Sequence, residues 1–115
     1  MIIVVSENKI SVPTLKEMAR KMFGNLVKAV VDVEKGIMAI DGELHADEQA
    51  LLLEQGSKQQ DIWGINIYPD KIGGDFIEFD SVINIRPSQQ NRSQGVDDEK
   101  IRKTILEIVA KLIEI

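Results

Sequence analysis

The sequence predicts one α+β domain spanning residues 1–115. It should hold a mixed, largely antiparallel five-stranded sheet with three helices, in the order β-α-β-β-α-β-β-α. Three observations carry this prediction. Short β-branched apolar runs alternate with stretches whose apolar residues recur at helical spacing. Two strand pairs are joined by turn chemistry, Glu34-Lys35-Gly36 and Pro69 to Gly74, which makes antiparallel neighbours. No linker or shift in composition divides the chain, and its 115 residues suit a single core.

Ile2 to Val5 reads as a short buried strand, and the strand-helix-strand unit it opens fits a parallel crossover. Ser11 offers an N-cap with Pro13 in the first turn. Leu15, Met18, Ala19, Met22 and Phe23 then make one apolar stripe, which Gly24 stops. Leu26 to Val33 is apolar on both faces apart from Lys28 and Asp32, the pattern of a central strand covered on both sides. Ile37 to Ile40 returns beside it. Asp47 is placed to cap a short helix that carries Leu51, Leu52 and Leu53 and ends at Gly56. A last helix starts at Asp97 or Asp98, where acids suit the helix dipole, and buries Ile101, Ile105, Ile108, Leu112 and Ile115. Helices are expected mainly on one face of the sheet.

Between the second and third helices lies Trp63 to Pro87, which holds two near-copies of a pentapeptide. These are Ile65-Asn66-Ile67-Tyr68-Pro69 and Ile83-Asn84-Ile85-Arg86-Pro87. Side chains alternate in an extended chain, so the stretch predicts a hairpin with a greasy back and a polar front. Ile65, Ile67, Ile83 and Ile85 would face the core, and Asn66, Tyr68, Asn84 and Arg86 the other side. Phe76 and Val82 fall on the polar side by the same alternation, which either a partner surface or a bulge near Asp80-Ser81 would account for.

At 43% hydrophobic and 29% charged residues, the composition is that of a soluble globular protein. No apolar run is long enough to span a bilayer, so no membrane partner is expected. The first residues lack the basic region and cleavage site of a secretory signal. Cysteine is absent, which removes disulfide scaffolds, thiolate zinc sites and cysteine nucleophiles and points to the cytoplasm. A formal net charge of −5 argues against nucleic acid as a partner. There is no P-loop, no GxGxxG after a strand and no GxSxG elbow.

The runs VVDVEKGIMAIDGELHADEQALLLEQGS, DIWGINIYP and DFIEFDSVINIRPSQQNRSQG resemble a family of small prokaryotic proteins defined only as a domain of unknown function. The resemblance covers most of the chain and implies a stand-alone domain. It brings no catalytic or binding residue with it.

Three constellations can carry chemistry. Asp41, Glu43, His45 and Asp47 recur at every second residue, and such oxygen ligands with one imidazole suit a divalent metal, Mg²⁺ or Mn²⁺. The polar front of the hairpin offers Asn66, Tyr68, Asn84 and Arg86 to a small anionic ligand. Arg86 and Arg92, in a loop before a helix start, add an anion site. Against each stands a structural reading: a capped turn, a solvated or paired sheet face, and an ordinary loop. The leading expectation is a homodimer, a self-associating and ligand-binding domain without catalysis. The alternative is a metal-dependent enzyme on a small phosphorylated or nucleotide-like substrate, with His45 or Glu43 as general base. If the segments share a pocket, Glu43 or His45 should lie within about 10 Å of Arg86 or Arg92, inside the reach of an incompletely screened charge.

Overall fold

The computed structural model describes residues 1–114. Ile115, expected at the end of the last apolar stripe, lies outside the described residues. In chain order the elements are β1 (Ile2–Val4), β2 (Ile10–Ser11), α1 (Val12–Met22), β3 (Val27–Asp32), β4 (Ile37–Ile40) and α2 (His45–Glu54). Then follow β5 (Ile62–Ile67), β6 (Ile77–Glu78), α3 (Glu99–Leu112) and β7 (Ile113–Glu114).

Five strands form one sheet in the order β1-β4-β3-β5-β6, every neighbouring pair antiparallel. β1 and β3 therefore run parallel with β4 between them, so the chain crosses over from one to the other through α1. The expected α+β sheet with three helices is the observed one. The short strands β2 and β7 add a separate parallel pair, with Ile10 opposite Ile113.

The alternation along the strands assigns two faces. Val27, Ala29 and Val31 of β3, with Trp63, Ile65 and Ile67 of β5, pack against Leu15 and Ala19 of α1 and Ile105, Val109 and Leu112 of α3. On the other face Val30, Ala39 and Ile62 meet Leu52 of α2. Two of the three helices thus share one face, and β3 is the central strand that its doubly apolar run predicts.

Local signals set most helix ends. The Ser11 hydroxyl accepts the Thr14 N–H, and the Asp98 carboxylate accepts the Lys100 N–H. Gly24 and Gly56 close α1 and α2 with φ of 92° and 98°, where only glycine sits without strain. One boundary differs. Asp47 is not the cap of α2, because the helix begins two residues earlier, at His45, with Leu44 as its N-cap.

The larger correction concerns the hairpin. β6 pairs with β5 over only two residues, Asn66 with Glu78 and Ile67 with Ile77. The second pentapeptide is no strand, since Ser81 caps a one-turn 3-10 helix at Val82–Asn84 and a second turn follows at Pro87–Gln89. Its faces are also reversed, with Asn84 fully buried, Arg86 8% exposed and Ile85 43% exposed.

The reason is the edge of β5 that β6 leaves unpaired. The Asn84 side chain accepts the Gly64 N–H at 2.8 Å and donates to the Gly64 carbonyl at 2.9 Å, standing in for a neighbouring strand. The Arg86 guanidinium then takes the Ile62 carbonyl. Buried backbone groups need partners, and an amide and a guanidinium can supply them where an isoleucine cannot. Gly64 must lack a side chain here, because a Cβ would sit 2.6 Å from Ser81 Cβ.

Asn84→Ala leaves both Gly64 backbone groups buried without partners. The expected cost is about 3 kcal/mol, the sum of two such penalties. Urea unfolding measures it, and a loss below about 1 kcal/mol contradicts the assignment.

Candidate functional site

Two depressions lie on opposite faces of the sheet. The first is a polar cleft of about 350 Å³ between the α1–β3 connection and the segment after β6. Phe23, Lys28, His45, Asn66, Asp80 and Val82 border it. The strand alternation that sends Ile65 and Ile67 to the core turns Asn66 to this side. Its Nδ2 donates to Glu78 Oε1 at 2.9 Å and to the Asp80 carbonyl at 3.2 Å. Tyr68 donates its hydroxyl to the same Glu78 oxygen at 2.9 Å. Burial, then the Glu78 contact, push the Tyr68 phenol above its ordinary value.

His45, in the first turn of α2, reaches across to the Ile65 carbonyl at 2.8 Å through Nε2. Burial is the main cause that lowers its pKa below the usual 6.5, and Lys28 acts in the same direction. The Ile65 carbonyl, Asp80 and Asn66 oppose it without reversing the shift. The imidazole is accordingly neutral near pH 7 and donates its Nε2 proton to Ile65.

The second depression is an apolar groove of about 540 Å³, between the start of α1, the end of α3 and the excursion from Pro69 to Phe76. Phe76, Val109, Ala110 and Ile113 line it, with Lys16, Asp70 and Lys71 among its charged border residues. Lys16 and Asp70 approach to 3.7 Å, and Lys71 lies 4.5 Å above the Tyr68 ring. Ile72 (88% exposed) stands at the tip of the excursion, just before Gly73 with φ of 62°.

Residues 3–112 match the family model described as Protein of unknown function (DUF5674). The chain belongs to the DUF5674 family. No curated protein and no solved structure shows significant similarity to it. Within this DUF5674 chain, no helix of the described residues is long and apolar enough to cross a membrane.

The four metal candidates do not come together. Glu43 and Asp47 are exposed, Asp41 follows β4 with a left-handed φ of 66°, and His45 is turned inward to Ile65. Among the described residues no three His, Asp or Glu side chains converge to hold a metal ion. Helix geometry separates His45 from Asp47, since alternate residues in the first turn of α2 do not share a face, and Asp41 and Glu43 precede the helix.

The anion candidates separate as well. Asn66 and Tyr68 stay linked through Glu78, whereas Asn84 is spent on Gly64 and Gln94. Arg86 donates to the Gln59 carbonyl at 2.8 Å and the Ile83 carbonyl at 3.1 Å besides Ile62, and its guanidinium stacks 4.3 Å from the Trp63 ring. Arg92 is exposed on the surface loop. His45 and Arg86 fasten to β5 carbonyls three residues apart, about 10 Å along a strand. Neither arginine borders the cleft that holds His45, so the expected shared pocket is absent among the described residues. Phe76 and Val82 also part company, Phe76 lining the groove and Val82 bordering the cleft on the other face.

One ionisable group escapes sequence reasoning altogether. Glu48 is fully buried in α2, accepts the Gly42 N–H at 3.0 Å through Oε2, and leaves Oε1 without a partner. Burial pushes its pKa from the ordinary 4.5 up to about 9, so the acid is protonated at neutral pH. Its neighbour Gly42 is the available signal, since a Cβ there would lie 2.7 Å from Glu48 Cγ.

The folded state therefore holds a proton on Glu48 that the unfolded chain has released between about pH 4.5 and 9. Stability from this group is complete below 4.5 and is lost as pH rises, with a slope approaching about 1.4 kcal/mol per pH unit. Glu48→Gln, which mimics the protonated acid, should remove that slope. Urea melts of both proteins from pH 5 to 9 check it, and parallel curves refute it.

Proposed function

We infer that this domain binds a small amphipathic molecule with an anionic head, its apolar body in the groove between α1, α3 and the Pro69–Phe76 excursion. The observation that carries the reading is the groove's make-up: an apolar bed of about 540 Å³, inside the size range of small-molecule sites, with lysines at its mouth. Lys71 has no acidic partner among the described residues, and Lys16 holds only the exposed Asp70, a contact worth little in solvent. A carboxylate head can take Lys71 directly and compete with Asp70 for Lys16. The lack of cysteine supports a cytoplasmic setting for this binding.

A second reading is self-association, favoured by the apolar side chains beside the same groove, Ile72 and Leu106, which are 88% and 45% exposed. Two copies meeting there would cover both. A metal-dependent enzyme is not proposed, because no three His, Asp or Glu side chains among the described residues come together to hold the ion.

Calorimetry with decanoate tests the first reading. Decanoate should bind in the micromolar range and decanol about tenfold more weakly, the difference being the charged head. Ala110→Phe, which fills the groove, should abolish binding of both. Equal binding of acid and alcohol, or full binding by the Ala110→Phe protein, overturns the reading. Light scattering on the same samples reads the second: a dimer mass that Ile72→Lys returns to monomer supports it, and a monomer throughout removes it.

A further inference from the structure

The polar cleft on the opposite face has features that the groove does not explain. Asn66 is only 7% exposed, its Nδ2 is fully engaged, and its Oδ1 is buried with no hydrogen-bond partner. An acceptor held in that state is costly, because it has lost water and gained in return only the nearby His45 ring, short of a full hydrogen bond. It is the one such atom among the described residues that belongs to a residue bordering either depression.

The charges around it form a second, independent pattern. Lys28 and Asp80 border the same 350 Å³ cleft with opposite signs, yet neither closes an ion pair among the described residues. The Lys28 ammonium rests 4.9 Å from the Phe23 ring instead. The β5–β6 pairing and the Ser81 cap fix Asp80 on one wall, and the register of β3 fixes Lys28 on another. Two opposite charges held apart in one small cleft match a ligand that carries both signs itself.

The rest of the border mixes Phe23, Leu26 and Val82 with His45, Ser81 and Gln94. Phe23 and Val82 are 39% and 69% exposed, which leaves apolar surface open at the cleft beside its charged groups. His45 stands behind them with Nε2 committed to the Ile65 carbonyl.

From these features we propose that the cleft binds a free α-amino acid with an apolar side chain. The ammonium is received by Asn66 Oδ1 and the Asp80 carboxylate, the carboxylate by Lys28, and the side chain by Phe23 and Val82. The ammonium supplies the donor that Asn66 Oδ1 lacks, and each end of the zwitterion meets the opposite charge. A simple anion would leave Asp80 unopposed, and a simple cation would leave Lys28 so.

The test uses the full chain and L-leucine, followed by NMR chemical-shift changes. Two truncated forms accompany it: 4-methylpentanoate, which lacks the ammonium, and 3-methylbutylamine, which lacks the carboxylate. Leucine should give saturable shifts at His45, Asn66 and Val82 with Kd of about 1 mM or tighter, and each truncated form should bind at least about tenfold more weakly. Lys28→Met should bring leucine down to the level of the amine. Should that variant fail to fold, the two truncated ligands on the unaltered protein decide the matter. No saturable shift at about 10 mM, or equal affinity for leucine and either truncated form, overturns the proposal. Shifts confined to Val109 and Ile113 also overturn it, while leaving the groove reading intact.

Discussion

The outer edge of β5 is the constraint on which the rest of the molecule depends. Its six residues are all buried, so every backbone N–H and C=O on that edge needs a partner. β3 satisfies the inner edge along the full strand, but β6 serves the outer edge at only two residues. The balance is met by side chains, the Asn84 amide on Gly64 and the Arg86 guanidinium on Ile62. Because the chain turns at Ser81 and returns as a loop, the cleft opens beside Asn66.

That loop is held by a second buried amide. Asn91 donates to the carbonyls of Asn84 and Gly95, at 2.7 and 2.8 Å, and accepts the Asp97 N–H at 2.7 Å. Arg86 and Asn91 also exchange backbone hydrogen bonds. The segment thus has its polar groups satisfied without belonging to the sheet, and it delivers the chain to the N-cap of α3. The guanidinium of Arg86 is unusual in being nearly buried among carbonyl dipoles and an indole rather than carboxylates. Burial lowers its pKa from the ordinary value, although a guanidinium keeps its charge at any physiological pH.

Much of this was legible in the sequence where the determinant is local. Ser11, Gly24, Gly56 and Asp98 act as the caps that their residue types suggest, and the doubly apolar Leu26–Val33 run marks the central strand. The pentapeptide repeat misled because alternation says which residues share a face only while the chain stays extended. The alternation alone does not say that β6 stops after two residues; Ser81, packed against Gly64, lies 17 residues from it in sequence. His45 is a helix residue facing β5 and not one of four converging ligands, which its spacing from Asp41, Glu43 and Asp47 does not reveal. The apolar groove could not be read at all, since Lys16, Lys71 and Val109 come from three distant segments.

The central claim is that side chains complete β5 as a strand would, and amide hydrogen exchange at Gly64 tests it most directly. The Gly64 N–H points to the outer edge, where Asn84 is its partner among the described residues. If that bond is as integral as a ladder bond, Gly64 should exchange only through global unfolding, at the same free energy as the inner-edge amide of Ile65. Exchange on the timescale of the exposed loop amides, while Ile65 stays protected, would contradict the account.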